Sequence, residues 1–213
     1  MSVVNGVAAV RRRRYQGGMT LIEALAAFVI LSVGLLGIVS LQALSKTSQH
    51  QAIQRTRAVA LADDMLERIR INPTGLATYQ TGLADWIGGG REGAEPTPVC
   101  SNADMCGTAV ELAEHDRWAW EQQLDGASVT VTDGGVTTNT AGLIAPRGCV
   151  DFTADAGKTN TGVVNVIVQW RGLEATRDAV QAGEATCGGA GAGTDNTRRQ
   201  VVVSSYVIDE GEL

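Results

Sequence analysis

Residues 24–44 form an unbroken apolar run, ALAAFVILSVGLLGIVSLQAL, with no formally charged side chain. At about 1.5 Å of rise per residue, this run makes a helix of roughly 31 Å, enough for one bilayer crossing. The helical pattern continues beyond it. Over residues 49–71 the apolar positions Ala52, Val59, Ala62, Leu66 and Ile69, with Leu61 and Met65 beside them, recur at the 3.6-residue period. Asp64 can pair with Arg68, and Glu67 with Arg70, along the polar face. Asn72-Pro73 predicts the stop, because proline disfavours helix in the residue before it. One helix over residues 19–71 would be about 80 Å long. Its first half is apolar all round and needs lipid or other helices. Its second half is one-sided and needs a globular head against its stripe.

The pattern then changes. Residues 74–110 read as an irregular loop punctuated by Gly88-Gly89-Gly90, Pro96 and Pro98. Thr108 and Glu111 form a capping-box signature before a short helix over residues 111–124, which Asp125-Gly126 stops. Leu112, Ala113, Trp120 and Leu124 point to the core on this reading. Trp118 and Trp120 read as packing residues rather than a ligand-stacking pair. Three β-patterned runs follow at 127–132, 163–170 and 200–208, with a shorter one at 149–152. In VVNVIVQW, Val164, Val166, Val168 and Trp170 share one face, and Val163, Asn165, Ile167 and Gln169 the other. Residues 183–197, rich in Gly and Ala, read as a loop. The expected fold is α+β: a long N-terminal helix laid on a small antiparallel sheet.

Charge and cysteine content narrow the function. The net charge is −6, and residues 1–18 hold four arginines and no acids, so the chain beyond them carries −10. That balance argues against nucleic-acid binding, which needs a basic footprint. Four cysteines, Cys100, Cys106, Cys149 and Cys187, read as two disulfides in an oxidising compartment. Of the three possible pairings, Cys100 with Cys106 and Cys149 with Cys187 is the simplest. No cysteines lie in a C-x-x-C pair, and His50 and His115 are the only histidines, which argues against a structural zinc site. No nucleophile elbow, phosphate loop or metal triad is present, so no enzyme and no cofactor is expected.

The start of the apolar run is unusual. Arg11, Arg12, Arg13 and Arg14 precede it, which predicts a cytoplasmic N-terminus and a head on the far side. Between them lies Gly17-Gly18-Met19-Thr20-Leu21-Ile22-Glu23, with one carboxylate at the edge of the run. A charge inside a bilayer costs about 2.5–3.5 kcal/mol even on the mild insertion scale, so Glu23 needs a use. A secretory signal peptide has a shorter apolar region. A plain signal anchor accounts for the arginines but not for Glu23 or the diglycine.

The stretch G-M-T-L-I-E-A-L-A-A-F-V-I-L-S resembles the N-terminus of type IV pilins and pseudopilins. The resemblance implies cleavage by prepilin peptidase between Gly18 and Met19, N-methylation of Met19, and an assembly role for Thr20 and Glu23. Phe is commonest at the first mature position, so Met19 departs from the usual pattern. Ser40 stands where many major pilins carry a kinking proline, which implies an unkinked helix. A new amine at Met19 gives Glu23 an opposite charge, in its own chain or in a neighbour, and in a low-dielectric setting that pair is far better than either charge alone.

Residues 57–79, together with Cys100, Cys106, the 110–113 stretch, Asp116 and Trp120, resemble PilV-type minor pilins. The resemblance implies a leader over 1–18, a membrane and assembly half over 19–44, an amphipathic half over 45–72 and a head over 73–213. It implies inner-membrane insertion with a periplasmic head, then passage to the pilus at the cell surface. Other minor and major pilins are the implied partners, the implied role is initiation or modification of a type IV pilus, and nucleic acid is not expected. A minor pseudopilin of a type II secretion system is the alternative within this class, and a pilus-displayed adhesin the alternative outside it.

Overall fold

A computed structural model describes residues 18–100, 106–180, 186–188 and 195–213. The chain divides into two compact units, Met1–Lys46 and Thr47–Leu213. Helix α1 runs without a break over Leu21–Ile71. In the first unit, residues 25–46 are all exposed, and the helix is apolar and long enough to cross a membrane.

The second unit begins with the rest of α1. A 3-10 turn at Pro73–Gly75 and the short helix α2 (Leu76–Tyr79) follow, inside the stretch expected to be irregular. Leu76 and Tyr79 are both buried there, so packing supplies what local propensity does not. Helix α3 spans Ala109–Asp125. Thr108 and Glu111 close the capping box at its start, and Gly126, at φ 69°, ends it in the left-handed conformation that glycine adopts without a Cβ clash.

Among the described residues, five strands make two sheets. Strands β3 (Arg147–Ala154), β4 (Gly162–Arg171) and β5 (Arg198–Val207) form an antiparallel sheet in that order. Val150 lies opposite Val166, and Val166 opposite Val203. The run at 127–132 does not join this sheet. It contributes strand β1 (Thr130–Asp133), which pairs with β2 (Val136–Asn139) in a separate, fully exposed hairpin. Gly134 and Gly135 both take positive φ between them, as a two-residue hairpin turn requires.

The core lies between α1, α3 and one face of the larger sheet. Ala58, Ala62, Met65, Leu66 and Ile69 meet Trp120, Leu124 and the Val164, Val166, Val168 and Trp170 face of β4. From Ala62 onward the α1 stripe falls as expected, with Ala62, Met65, Leu66 and Ile69 buried, and it departs from the expectation only before Ala62. Ala52 and Val59 are exposed, and Ala58 and Gln54 hold the buried positions one and two turns before Ala62. The opposite face of β4 is also covered: Ile167 packs with Cys149, Cys187, Leu83 and Trp86.

Candidate processing and assembly site

The first turn of α1 organises residues 18–24. Thr20 is the last residue before the helix, and its carbonyl accepts from the Glu23 and Ala24 amides at 3.0 and 3.2 Å. The Glu23 carboxylate turns back toward the Thr20 amide, with Oε2 at 3.5 Å. Thr-x-x-Glu is the capping-box pattern, and an acid in the first turn suits the positive end of the helix dipole. Gly18 and Met19 precede the helix; nothing lies within 4 Å of where a Gly18 Cβ would sit, and Met19 is exposed. The Gly18–Met19 peptide bond therefore stands outside the helical hydrogen-bond ladder. The Met19 nitrogen is one residue from the amide that Glu23 already faces. The four arginines and Gly17 lie outside the described residues.

The other singled-out residues lie in the second unit. Cys100 is bonded to Cys106, and residues 101–105 between them lie outside the described set. Cys149 on β3 is bonded to Cys187, with Cα atoms 5.7 Å apart. Residues 183–185 and 189–194 of the Gly/Ala-rich stretch lie outside the described residues. Among the described residues no cluster of His, Cys, Asp and Glu could hold a metal ion. Trp120 is fully buried and Trp118 half-buried beside His115, so the two do not form one stacking surface.

Three features escaped the sequence reading. Glu121 and Asp125, one turn apart on α3, gather five backbone amides: Gly88, Arg91 and Glu92 donate to Glu121, and Gly89 and Gly90 to Asp125. The glycine-rich loop is thus templated by two carboxylates. The Arg91 and Arg147 guanidiniums both lie over the Trp86 ring system, at 4.2 and 4.5 Å from a ring centroid. A cavity of about 450 Å³ opens beside α1 and β4 with Arg55, Arg171 and Arg199 in its wall. Each joins residues far apart in the chain, so no local spacing announces it.

This is a pilin-like α+β architecture: a long apolar N-terminal helix with small antiparallel sheets. Residues 40–118 match the family model described as type IV pilin Tt1218, and residues 13–39 match the prokaryotic N-terminal methylation motif. Together these matches support the type IV pilin superfamily, a family of structural proteins, and a pilus component anchored in a membrane before assembly. No curated protein and no solved structure matches the chain.

Proposed function

We propose that this chain is a PilV-type minor pilin that helps initiate or modify a type IV pilus and supports piliation and twitching motility. Prepilin peptidase cuts between Gly18 and Met19, Met19 is N-methylated, and Glu23 pairs with the resulting amine within the chain or across a subunit contact. The observation that carries this reading is the Glu23 carboxylate held over the Thr20 amide at the start of an apolar helix. A carboxylate in that place compensates a charge that exists only after cleavage, and a pair formed between subunits fixes their stagger. The methylation-motif match over 13–39 supports the processing, and the pilin match over 40–118 favours a pilus over a secretion pseudopilus. The arginine block supports a cytoplasmic N-terminus with the head outside the inner membrane. Other pilins are then the partners of the helix.

Mass analysis of the mature N-terminus tests the processing. Methylated Met19 as first residue is expected, and an intact leader or a start beyond Leu44 overturns it. A deletion strain is expected to lose or reduce surface pili and twitching; unchanged piliation overturns the minor-pilin role.

A further inference from the structure

The two edges of the larger sheet are not alike. The β3 edge is closed by the chain that precedes it. Ile87 and Gly148 exchange both backbone hydrogen bonds at 2.8 Å, and the Thr81 and Gly82 amides donate to the Val150 carbonyl. Strand β5 is the opposite edge, and among the described residues no other segment pairs with its outer side over 200–207. The ladder shows which groups face out. Gly172 donates to the Thr197 carbonyl in line with the β4–β5 register, and Asp155 to the Thr161 carbonyl in line with the β3–β4 register. Residues of the central strand bond to its two neighbours alternately, so the odd-numbered residues of β5 bond to β4. The backbone N–H and C=O of Val202, Ser204 and Tyr206 therefore point off the edge.

Sheet edges in native proteins are guarded by charges, prolines, bulges, short length or a covering segment. The outer side of β5 has none of these guards among the described residues. The strand keeps an unbroken register with β4 over Arg198–Val207, and VVVSSYV at 201–207 holds no charge, proline or glycine. An uncharged segment of high β-propensity on an open edge invites another strand. The side chains flanking that edge on the solvent face are apolar too. Val202 and Tyr206 are 47% and 48% exposed, and the Tyr206 hydroxyl donates to Asp155, which fixes the ring.

The ends of the strand select the partner. Arg198 and Arg199 open β5, and Asp209 and Glu210 follow it. A second copy running antiparallel sets base against acid at both ends, whereas a parallel copy sets like against like. One antiparallel register also matches the side chains. Centred on Ser204, it lays Val202 opposite Tyr206 of the second copy, and Tyr206 opposite its Val202, an aromatic and β-branched pair made twice by symmetry. The same register puts the outward amides and carbonyls of both strands in bonding positions. We propose that β5 pairs with β5 of a second copy, antiparallel about Ser204, joining the two sheets into one. The two-fold axis stands normal to that sheet. The α1 stretches packed on its two halves then run in opposite directions, so the contact joins heads that meet from opposite sides, not neighbours whose helices lie parallel.

The test uses the full chain in neutral detergent, with oligomeric state read by native mass spectrometry. A dimer whose share grows with concentration is expected. Ser204→Pro removes an outward amide and leaves the bonds to β4 in place, and should cut the dimer share by about fivefold or more. Val202→Lys keeps the backbone and puts a charge on the open edge; it should do the same, and it decides the matter if the proline variant does not fold. Val131→Lys, on the exposed β1–β2 hairpin, should leave the dimer unchanged. Ser204→Cys should cross-link to its own copy under mild oxidation, because opposed residues of a bonded pair lie about 5.5 Å apart at Cα, within disulfide reach. Gln200→Cys, which falls opposite Ile208 in this register, should not. A monomer at every concentration overturns the proposal, as does a dimer undiminished in Val202→Lys or lost in Val131→Lys. Cross-linking no greater in Ser204→Cys than in Gln200→Cys overturns it as well.

Discussion

Trp120 on α3 donates its indole N–H to the Leu61 carbonyl on α1 at 2.8 Å, and its ring is fully buried. On the other side of the ring lies Gly148 of β3, where a Cβ would come within 2.3 Å of the ring carbons. One side chain thus ties helix, helix and sheet together. Trp120→Ala should destabilise the second unit by about 3–5 kcal/mol. Gly148→Ala should cost about 1–3 kcal/mol through overpacking alone. Denaturant unfolding of the full chain in detergent, followed by circular dichroism, reads both; a Gly148→Ala variant as stable as the parent would contradict the packing.

Arg68 connects two carboxylates of different burial. It donates to Asp64 at 2.8 Å and to Asp116 at 2.7 Å, and the Tyr79 hydroxyl also donates to Asp116. Asp64 is the more exposed of the two. Asp64→Asn should therefore cost no more than about 1 kcal/mol, whereas Asp116→Asn should cost about 3 kcal/mol by leaving buried partners unmatched. Burial first, and then the bond to Asp116, push the Tyr79 pKa above its ordinary 10. The sign follows: the contribution is fully present below pH 10 and is lost as pH rises toward the folded value. Absorbance at the tyrosinate band, compared between the parent and Tyr79→Phe, should show no Tyr79 ionisation up to pH 11 in the folded chain.

Much of this architecture is legible in the sequence because its signals are local. The apolar run, the Asn72-Pro73 stop, the Thr108 and Glu111 cap and the alternation of β4 each lie within one element, and each element forms where its pattern falls. The N-terminal methylation motif is local in the same way: Gly18, Met19 and Glu23, on which the proposed processing rests, lie within six residues. The failures have tertiary causes. Ala52 and Val59 look like core, but the stripe is set by what the head presents, and small Ala58 faces it instead. The hairpin of β1 and β2 was missed because Val136–Asn139 is short and fully exposed, so it carries no alternation. The arginine-lined cavity gathers residues 55, 171 and 199, which no spacing rule connects.

The two disulfides should differ in their worth to stability. Cys149 and Cys187 are 38 residues apart, and closing a loop of that length removes about 4 kcal/mol of unfolded-chain entropy on the loop-closure model. Cys100 and Cys106 are 6 apart, for about 2 kcal/mol. The longer bridge also holds Cys187 over Ile167 and Trp86. Cys149→Ser with Cys187→Ser should lower stability more than Cys100→Ser with Cys106→Ser and should raise the exposure of Trp86, read by fluorescence quenching. Thiol alkylation without reductant should label none of the four cysteines in the parent chain.

Glu212 gives the second unit a specific acid sensitivity. The Thr159 hydroxyl donates to its carboxylate, and the Thr159 and Asn160 amides donate at 2.7 and 2.9 Å, so the 3-10 turn at Glu210–Glu212 is fastened to the loop between β3 and β4. The Thr159 hydroxyl is the largest cause of a carboxyl pKa pulled down from 4.5 to about 2. A depressed folded pKa contributes stability that is present above the unfolded value and lost as pH falls through the folded one. The window is therefore pH 4.5 down to about 2. Glu212→Gln keeps the shape and abolishes the titration, so the parent-minus-variant stability difference should be flat above pH 5 and shrink steadily below 4.5. Asp195, lowered chiefly by the Thr197 hydroxyl, remains in the variant and keeps a residual acid slope in both curves. A difference curve with no slope between pH 4.5 and 2.5 would show that Glu212 does not fasten the turn.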